Sequence, residues 1–364
     1  MDNIRKNRAI VSTNHIDNHG DQISIEVLEQ MVHLINDSQQ RIRLGTDHRR
    51  DLPPKGRLEN AVLRKDGDDY LVEADLCEFE NIEPVDWDKT LLKESFLDSF
   101  QFVEVEKESC DGISISIDVH NFKSIDDYNN CINSIENNEN IRFEEHVRKA
   151  LLPDPEIVFQ LAQSYLLCHF LKPVARKLGE KLADSTADYA LKESKRVMNM
   201  INSALREFLF RCIPSTRPAN IIFDYPGTPH IELIARTRDK DLVLNALSSH
   251  QLSKVGKKIT DLSKHINIAK VQFVLSNKGK WKFNYLLTDN GEVIGTKTVL
   301  KKRDKKIEMI NRNAIRLGRP IAVSCGATGV ITDRRGRKIN CVMRRFFPSS
   351  SVGDRPAPRG CTST

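Results

Sequence analysis

Two short stretches of this 364-residue chain hold residue types that perform acyl-transfer chemistry. The first, 45-GTDHRRDLPPKG-56, places His48 in a charged loop ahead of the rigid Pro53-Pro54 pair. Histidine titrates near neutral pH and serves as a general base, provided that a nucleophile stands within hydrogen-bond reach. The second, 110-CDGISISIDV-119, supplies such nucleophiles. It alternates with period two, so Ile113, Ile115 and Ile117 face one way and Ser114, Ser116 and Asp118 the other. Each stretch also has a plainer reading. His48 alone is a solvated loop histidine, and the serines alone are the polar side of an amphipathic strand.

A third stretch, 142-RFEEHVR-148, offers Glu144, Glu145 and His146. On a strand Glu144 and His146 share a face, and either one can orient an imidazole and fix its tautomer. The run Asp17, His19, Asp21 has metal-binding residue types, but ligands must converge in space and Asn18 and Gly20 mark a turn. No metal and no cofactor is expected. The back half carries lysine clusters, among them Lys280, Lys282, Lys301, Lys302 and Arg303. With Trp281, Phe283 and Tyr285 alternating through KWKFNY, these residues are candidates for binding nucleic acid or another anionic partner. The plainer reading is a core strand whose basic side is solvated.

The elements that must position these residues change character along the chain. Residues 1–152 read mainly as strands, with a helix over 24–37, a second short helix near 87–100, and Asn/Asp-rich turns over 126–140. After Pro153 and Pro155 the pattern over 156–212 is helical, interrupted at Pro173. Its run IVFQLAQSYLLCHFL, apolar nearly all round, predicts a buried or oligomerising helix. Residues 214–310 mix strands with a helix near 239–250, and the turn in DNGEV joins two of the strands. This divides the chain into 1–152, a β domain; 153–213, a helical connector or oligomerisation segment; 214–317, a basic α+β domain; and 318–364, a basic, flexible tail.

Charge follows the same division. Residues 1–150 hold 18 Lys and Arg against 32 Asp and Glu, whereas the rest holds 38 against 18 of the total 56 and 50. An acidic front and a basic back can attract each other or different partners. Composition is that of a soluble globular protein, 39% hydrophobic and 29% charged, with mean hydropathy −0.44. No run approaches the roughly 18 apolar residues of a membrane span. The eight cysteines are scattered and form no CxxC, which suits a reducing cytoplasm better than a disulfide framework.

Taken together, STNHIDNHGDQI, a helix, TDHRRDLPPKGRLENAVLRKDGDDYLVEADL and GISISIDV resemble the capsid-maturation (prohead) serine proteases of tailed phages, whose barrel is related to the herpesvirus assemblin fold. The resemblance covers residues 8–120. It implies an N-terminal mainly-β barrel; with the patterns above, the expected fold is a multidomain chain in which a helical segment and a C-terminal α+β domain follow that barrel. It places the loop base on His48 and the nucleophile on Ser114. The family has glycine two places after the nucleophile, where this chain has Ser116, so Ser116 is the rival. The third member is an acid in the phage enzymes and a second histidine in the herpesvirus ones; no flanking motif selects it here among Glu144, Glu145 and His146, and Glu144 and His146, sharing a strand face, are the candidates. The implied activity is a serine peptidase acting on a protein or peptide substrate, fused to a regulatory or sensing half in a phage or bacterial defence setting. The competing reading is a non-catalytic interaction protein that binds nucleic acid or another anionic partner through its basic half. Homo-oligomerisation through the helical segment accompanies either.

Overall fold

The computed structural model describes residues 7–15, 22–46, 49–102, 113–136, 141–147, 154–161, 184–316, 324–325, 328–332 and 338–342. His48 lies outside them. Strands β1 (Asn7–Thr13), β2 (Gln40–Arg41), β3 (Arg43–Gly45), β4 (Gly56–Asp66) and β5 (Asp69–Glu78) surround helix α1 (Ile25–Asn36). Ser24 caps α1 by accepting a bond from the Val27 amide at 3.4 Å. The buried residues Val27, Leu28, Met31 and Ile35 pack on Val11, Leu44, Leu58, Val72 and Ala74. Gly56 is fixed by close approach, because a Cβ there would stand 1.9 Å from the Cys77 carbonyl oxygen.

The remaining elements, in chain order, are β6 (Asn81–Pro84), β7 (Leu91–Ser95), β8 (Gln101–Phe102), β9 (Ile113–Asp118), α2 (Ile125–Glu136), β10 (Ile141–Val147), β11 (Glu156–Leu161) and α3 (Asp184–Arg211). Then come β12 (Ala219–Tyr225), β13 (His230–Thr237), α4 (Lys240–Ala246), α5 (Ser249–Ser263), β14 (Ile268–Leu275), β15 (Trp281–Thr288), β16 (Val293–Thr296) and α6 (Lys297–Arg316). The last strands are β17 (Ser324–Cys325), β18 (Thr328–Thr332) and β19 (Lys338–Val342).

These form one twelve-stranded sheet in the order β18-β19-β10-β9-β11-β12-β13-β14-β15-β16-β7-β6, a five-stranded sheet in the order β1-β5-β4-β3-β17, and the pair β2-β8. One face of the large sheet carries the main core. Ile115, Phe159, Phe223, Leu233 and Phe273 meet Ile201, Leu205 and Phe208 of α3 and Leu252, Val255 and Ile259 of α5. Phe159 and Phe223 stack with their ring centroids 5.3 Å apart. No helix among the described residues is long and apolar enough to cross a membrane.

The fold is thus mixed α/β, and several expectations are corrected. The expected N-terminal barrel is not closed among the described strands, since both sheets run from edge to edge. The large sheet crosses the boundary expected near 152, because β9 pairs with β11 and β7 pairs with β16. Residues 156–161 form a strand rather than the start of a helix. A strand buried on both faces is nearly continuously apolar and cannot be told from a buried helix by pattern. The helix expected near 87–100 is replaced by β7, held by its ladder to β16, and α2 takes residues 126–136 of the stretch 126–140 expected as turns, the rest of which lies outside the described residues. In EVIGTKTVL strand β16 stops at Thr296, whose hydroxyl caps α6 by accepting from the Val299 amide at 3.2 Å. The tail contributes β17 to β19, where β18 and β19 pair from Thr328 opposite Val342 to Thr332 opposite Lys338. Residues 343–364 lie outside the described residues.

Candidate functional site

The second face of the large sheet differs in kind from the first. Alternation along β9 sends Ile113, Ile115 and Ile117 into the helical core and leaves Ser114, Ser116 and Asp118 on the opposite side. The sheet register continues that polar side across six strands. Ser114 pairs with Gln160, Gln160 with Asp224, Asp224 with Glu232, Glu232 with Gln272, and Gln272 with Tyr285. Paired residues share a face, so these six form one lateral row spanning β9 to β15. All six are buried. Beside it runs an apolar row of Val158, Ile222, Ile234 and Val274, with Ser116 at its β9 end.

The loop that follows His48 folds onto this polar face. Arg50 meets the Glu232 carboxylate at 2.6 and 2.7 Å. Gln272 donates its side-chain amide to the Arg50 carbonyl at 3.0 Å and to the second Glu232 oxygen. Asn284 donates to the Asp51 carbonyl at 2.7 Å and to the Gln272 side-chain oxygen at 2.6 Å. Lys270 adds a second cation, 3.6 Å from Glu232. Burial alone would raise the Glu232 pKa, but Arg50 and Lys270 hold it below the usual carboxylate range. Burial likewise works against the Arg50 charge, and Glu232, Glu156 and Asp224 together outweigh it and hold the guanidinium charged. Across the β12–β13 hairpin, His230 Nε2 contacts the fully buried Asp224 carboxylate.

The same loop is anchored at its far side. Arg49 grips Asp51 through two bonds of 2.6 Å, and Lys302 of α6 reaches Asp51 at 3.2 Å. Burial would raise the Asp51 pKa, yet hydrogen bonds and charge from Arg49 and Lys302 bring it down to about 2. Arg303 of α6 is fully buried. It binds both Glu94 oxygens at 2.5 and 2.8 Å and donates to the Pro54 carbonyl at 2.7 Å.

The expected site residues occupy the following places. Ser114 is 1% exposed and Ser116 9%, and neither hydroxyl has a hydrogen-bond partner among the described residues. Glu144 and His146 stand on β10 at the register positions of Ser116 and Asp118, with Arg142 opposite Ser114. The side chains of Glu144 and His146, and the whole of His48, lie outside the described residues. Lys280, Lys282, Lys301 and Lys302 are exposed. Arg303 is corrected: its guanidinium is saturated inside the protein and is not available to an anionic ligand. Asp224, His230, Glu232, Gln272 and Asn284 went unnoticed in the sequence. Their signal was there: a single ionised or amide residue inside an otherwise apolar strand, as in IIFDY, HIELIA and VQFVL. Trp281 and Phe283 pack on the main core as expected. Tyr285 does not share their face, because a bulge at Asn284 turns it toward Leu287 and Phe100.

Comparison of the chain with protein-family models, with curated proteins and with solved structures returned no match.

Proposed function

We propose that this chain is a serine hydrolase of the prohead-protease type that cleaves a peptide or protein substrate. Ser114 attacks the scissile carbonyl, and His48 takes the hydroxyl proton and then returns it to the leaving group. Glu144 or His146 orients the imidazole, and Ser116 is the rival nucleophile. The observation that carries this reading is that β9 turns both serines toward the same sheet face onto which the loop after His48 folds. The order of elements supports it: a strand, a helix, and then the His48 loop joining β3 to β4 immediately before Gly56. By analogy the setting is a phage or a bacterial defence system, with the C-terminal half as the regulatory part. The test is labelling with a fluorophosphonate probe read by intact mass. One adduct, absent from Ser114→Ala and His48→Ala, supports the reading.

A second reading rests on α6, where Lys297, Lys301 and Lys305 are exposed at four-residue spacing and the first turn holds no acidic residue. Like charges at that spacing repel by a few tenths of a kcal/mol per pair, which a polyanion relieves. Affinity for a single-stranded oligonucleotide that falls steeply with salt, and drops in Lys301→Ala/Lys305→Ala, is the outcome this reading requires.

A further inference from the structure

Arg50 lies two residues from His48, yet its partners all come from the opposite half of the chain. Glu232 on β13 takes its guanidinium, Gln272 on β14 takes its carbonyl, and Asn284 on β15 takes the next carbonyl, that of Asp51. Sequence separations of 182, 222 and 233 residues divide these partners from the loop. Gln272 and Asn284 are also joined to each other, and Gln272 to Glu232, so the three partners form one fully buried unit. A surface loop ordinarily needs no such support. Here it is supplied by three strands that commit buried polar groups to two successive backbone carbonyls and one side chain.

We propose that Glu232, Gln272 and Asn284 are positioning residues that fix the His48 loop, so that the C-terminal half sets the geometry of the proposed hydrolase site. This rests on the serine-hydrolase reading for its chemical consequence but not for the loop contact itself. Glu232 acts through Arg50, and the two amides act through the backbone. A general base displaced by about 1 Å loses on the order of 10²-fold in rate, so release of the loop lowers the chemical step and leaves initial probe binding unchanged. Anything that remodels β13 to β15 would reach the active loop by the same contacts.

The experiment uses the full chain and three variants: Glu232→Gln, Glu232→Asp, and the double variant Arg50→Met/Glu232→Gln. The double variant removes both charges and leaves no ionised Arg50–Glu232 partner behind. Hydrogen exchange of peptides covering 46–55 reads the loop, with β12 peptides as the internal control of folding. Fluorophosphonate labelling reads the chemistry, as a maximal rate and an apparent binding constant. The expected result is about tenfold or greater loss of loop protection in Glu232→Gln and in the double variant, with β12 protection kept. The maximal labelling rate falls on the order of 10²-fold at unchanged probe binding, and Glu232→Asp recovers most of it. Unchanged loop protection in the double variant overturns the proposal whatever the labelling does. Loop protection lost with labelling intact overturns it as well, since the loop would then not set the chemistry. A wild-type chain that never labels removes the hydrolase reading, and the exchange arm still decides whether these residues hold the loop.

Discussion

At the scale of single residues, the energetics concentrate in buried ion pairs. Arg303 is the largest fully buried side chain, and its guanidinium is shared between Glu94 and the Pro54 carbonyl. Removing one member of such a pair leaves the other ionised in a poor dielectric, at a penalty of about 3–5 kcal/mol. Arg303→Met should therefore lower the unfolding free energy in chemical denaturation by that much, and Arg303→Met/Glu94→Leu should recover most of it. Asp51 gives a pH signature. Its folded pKa of about 2 lies below the unfolded value of 3.8, so its contribution is present above about pH 5 and is lost as pH falls toward 2. That contribution is about 2 kcal/mol. Melting temperature followed from pH 6 to pH 2.5 should fall less steeply in Asp51→Asn than in the wild type. Equal slopes would mean that Arg49 and Lys302 do not hold the carboxylate as the geometry requires.

At the scale of elements, the sequence was legible wherever a pattern had one face to express. The stretch 24–37 read as a helix because Leu28, Met31 and Ile35 recur on one side, and α1 buries those same residues. The alternation of GISISIDV read as a strand for the same reason, and β9 presents it as such. β11 was illegible because Ile157, Phe159 and Leu161 enter the main core while Val158 joins the apolar row on the other face. With both faces buried, no periodicity is left to distinguish strand from helix. The helix expected near 87–100 fails because Leu91–Ser95 pair with β16 as a strand that buries Glu94 against Arg303. Two substitutions test the element-level packing. Phe159→Ala should destabilise by about 3–5 kcal/mol in chemical denaturation, since the ring is fully buried against Phe223. Gly56→Ala should destabilise by about 1–3 kcal/mol or more, because the added methyl meets the Cys77 carbonyl and the β4–β5 ladder must give way.

At the scale of the whole molecule, the contrast between acidic front and basic back is partly an internal complementarity. Lys302 meets Asp51 and Arg303 meets Glu94, each joining the basic back to the acidic front, while Lys55–Asp304 at 3.0 Å and Arg50–Glu232 join the halves with the signs reversed. Composition announced the contrast but not these contacts, since pairing across about 250 residues leaves no local trace in the chain. The candidate site was half legible for a related reason. Ser114 and the His48 loop carried motif-like spacing, whereas Glu232, Gln272 and Asn284 acquire meaning only through a sheet register that no single strand encodes. The shared sheet also predicts cooperativity. A fragment of residues 1–152 loses β11 beside β9 and β16 beside β7, so it should lack a sharp thermal transition that the full chain shows. An independent cooperative melt of that fragment would contradict the sheet as described.

The central claim is a Ser–His pair working on the polar face of the large sheet, and intact-mass labelling by a fluorophosphonate tests it most directly. One adduct is expected on the wild type, retained in Ser116→Ala and absent from Ser114→Ala and His48→Ala. Labelling that survives in Ser114→Ala and His48→Ala, or a folded wild type that takes no adduct, would contradict it.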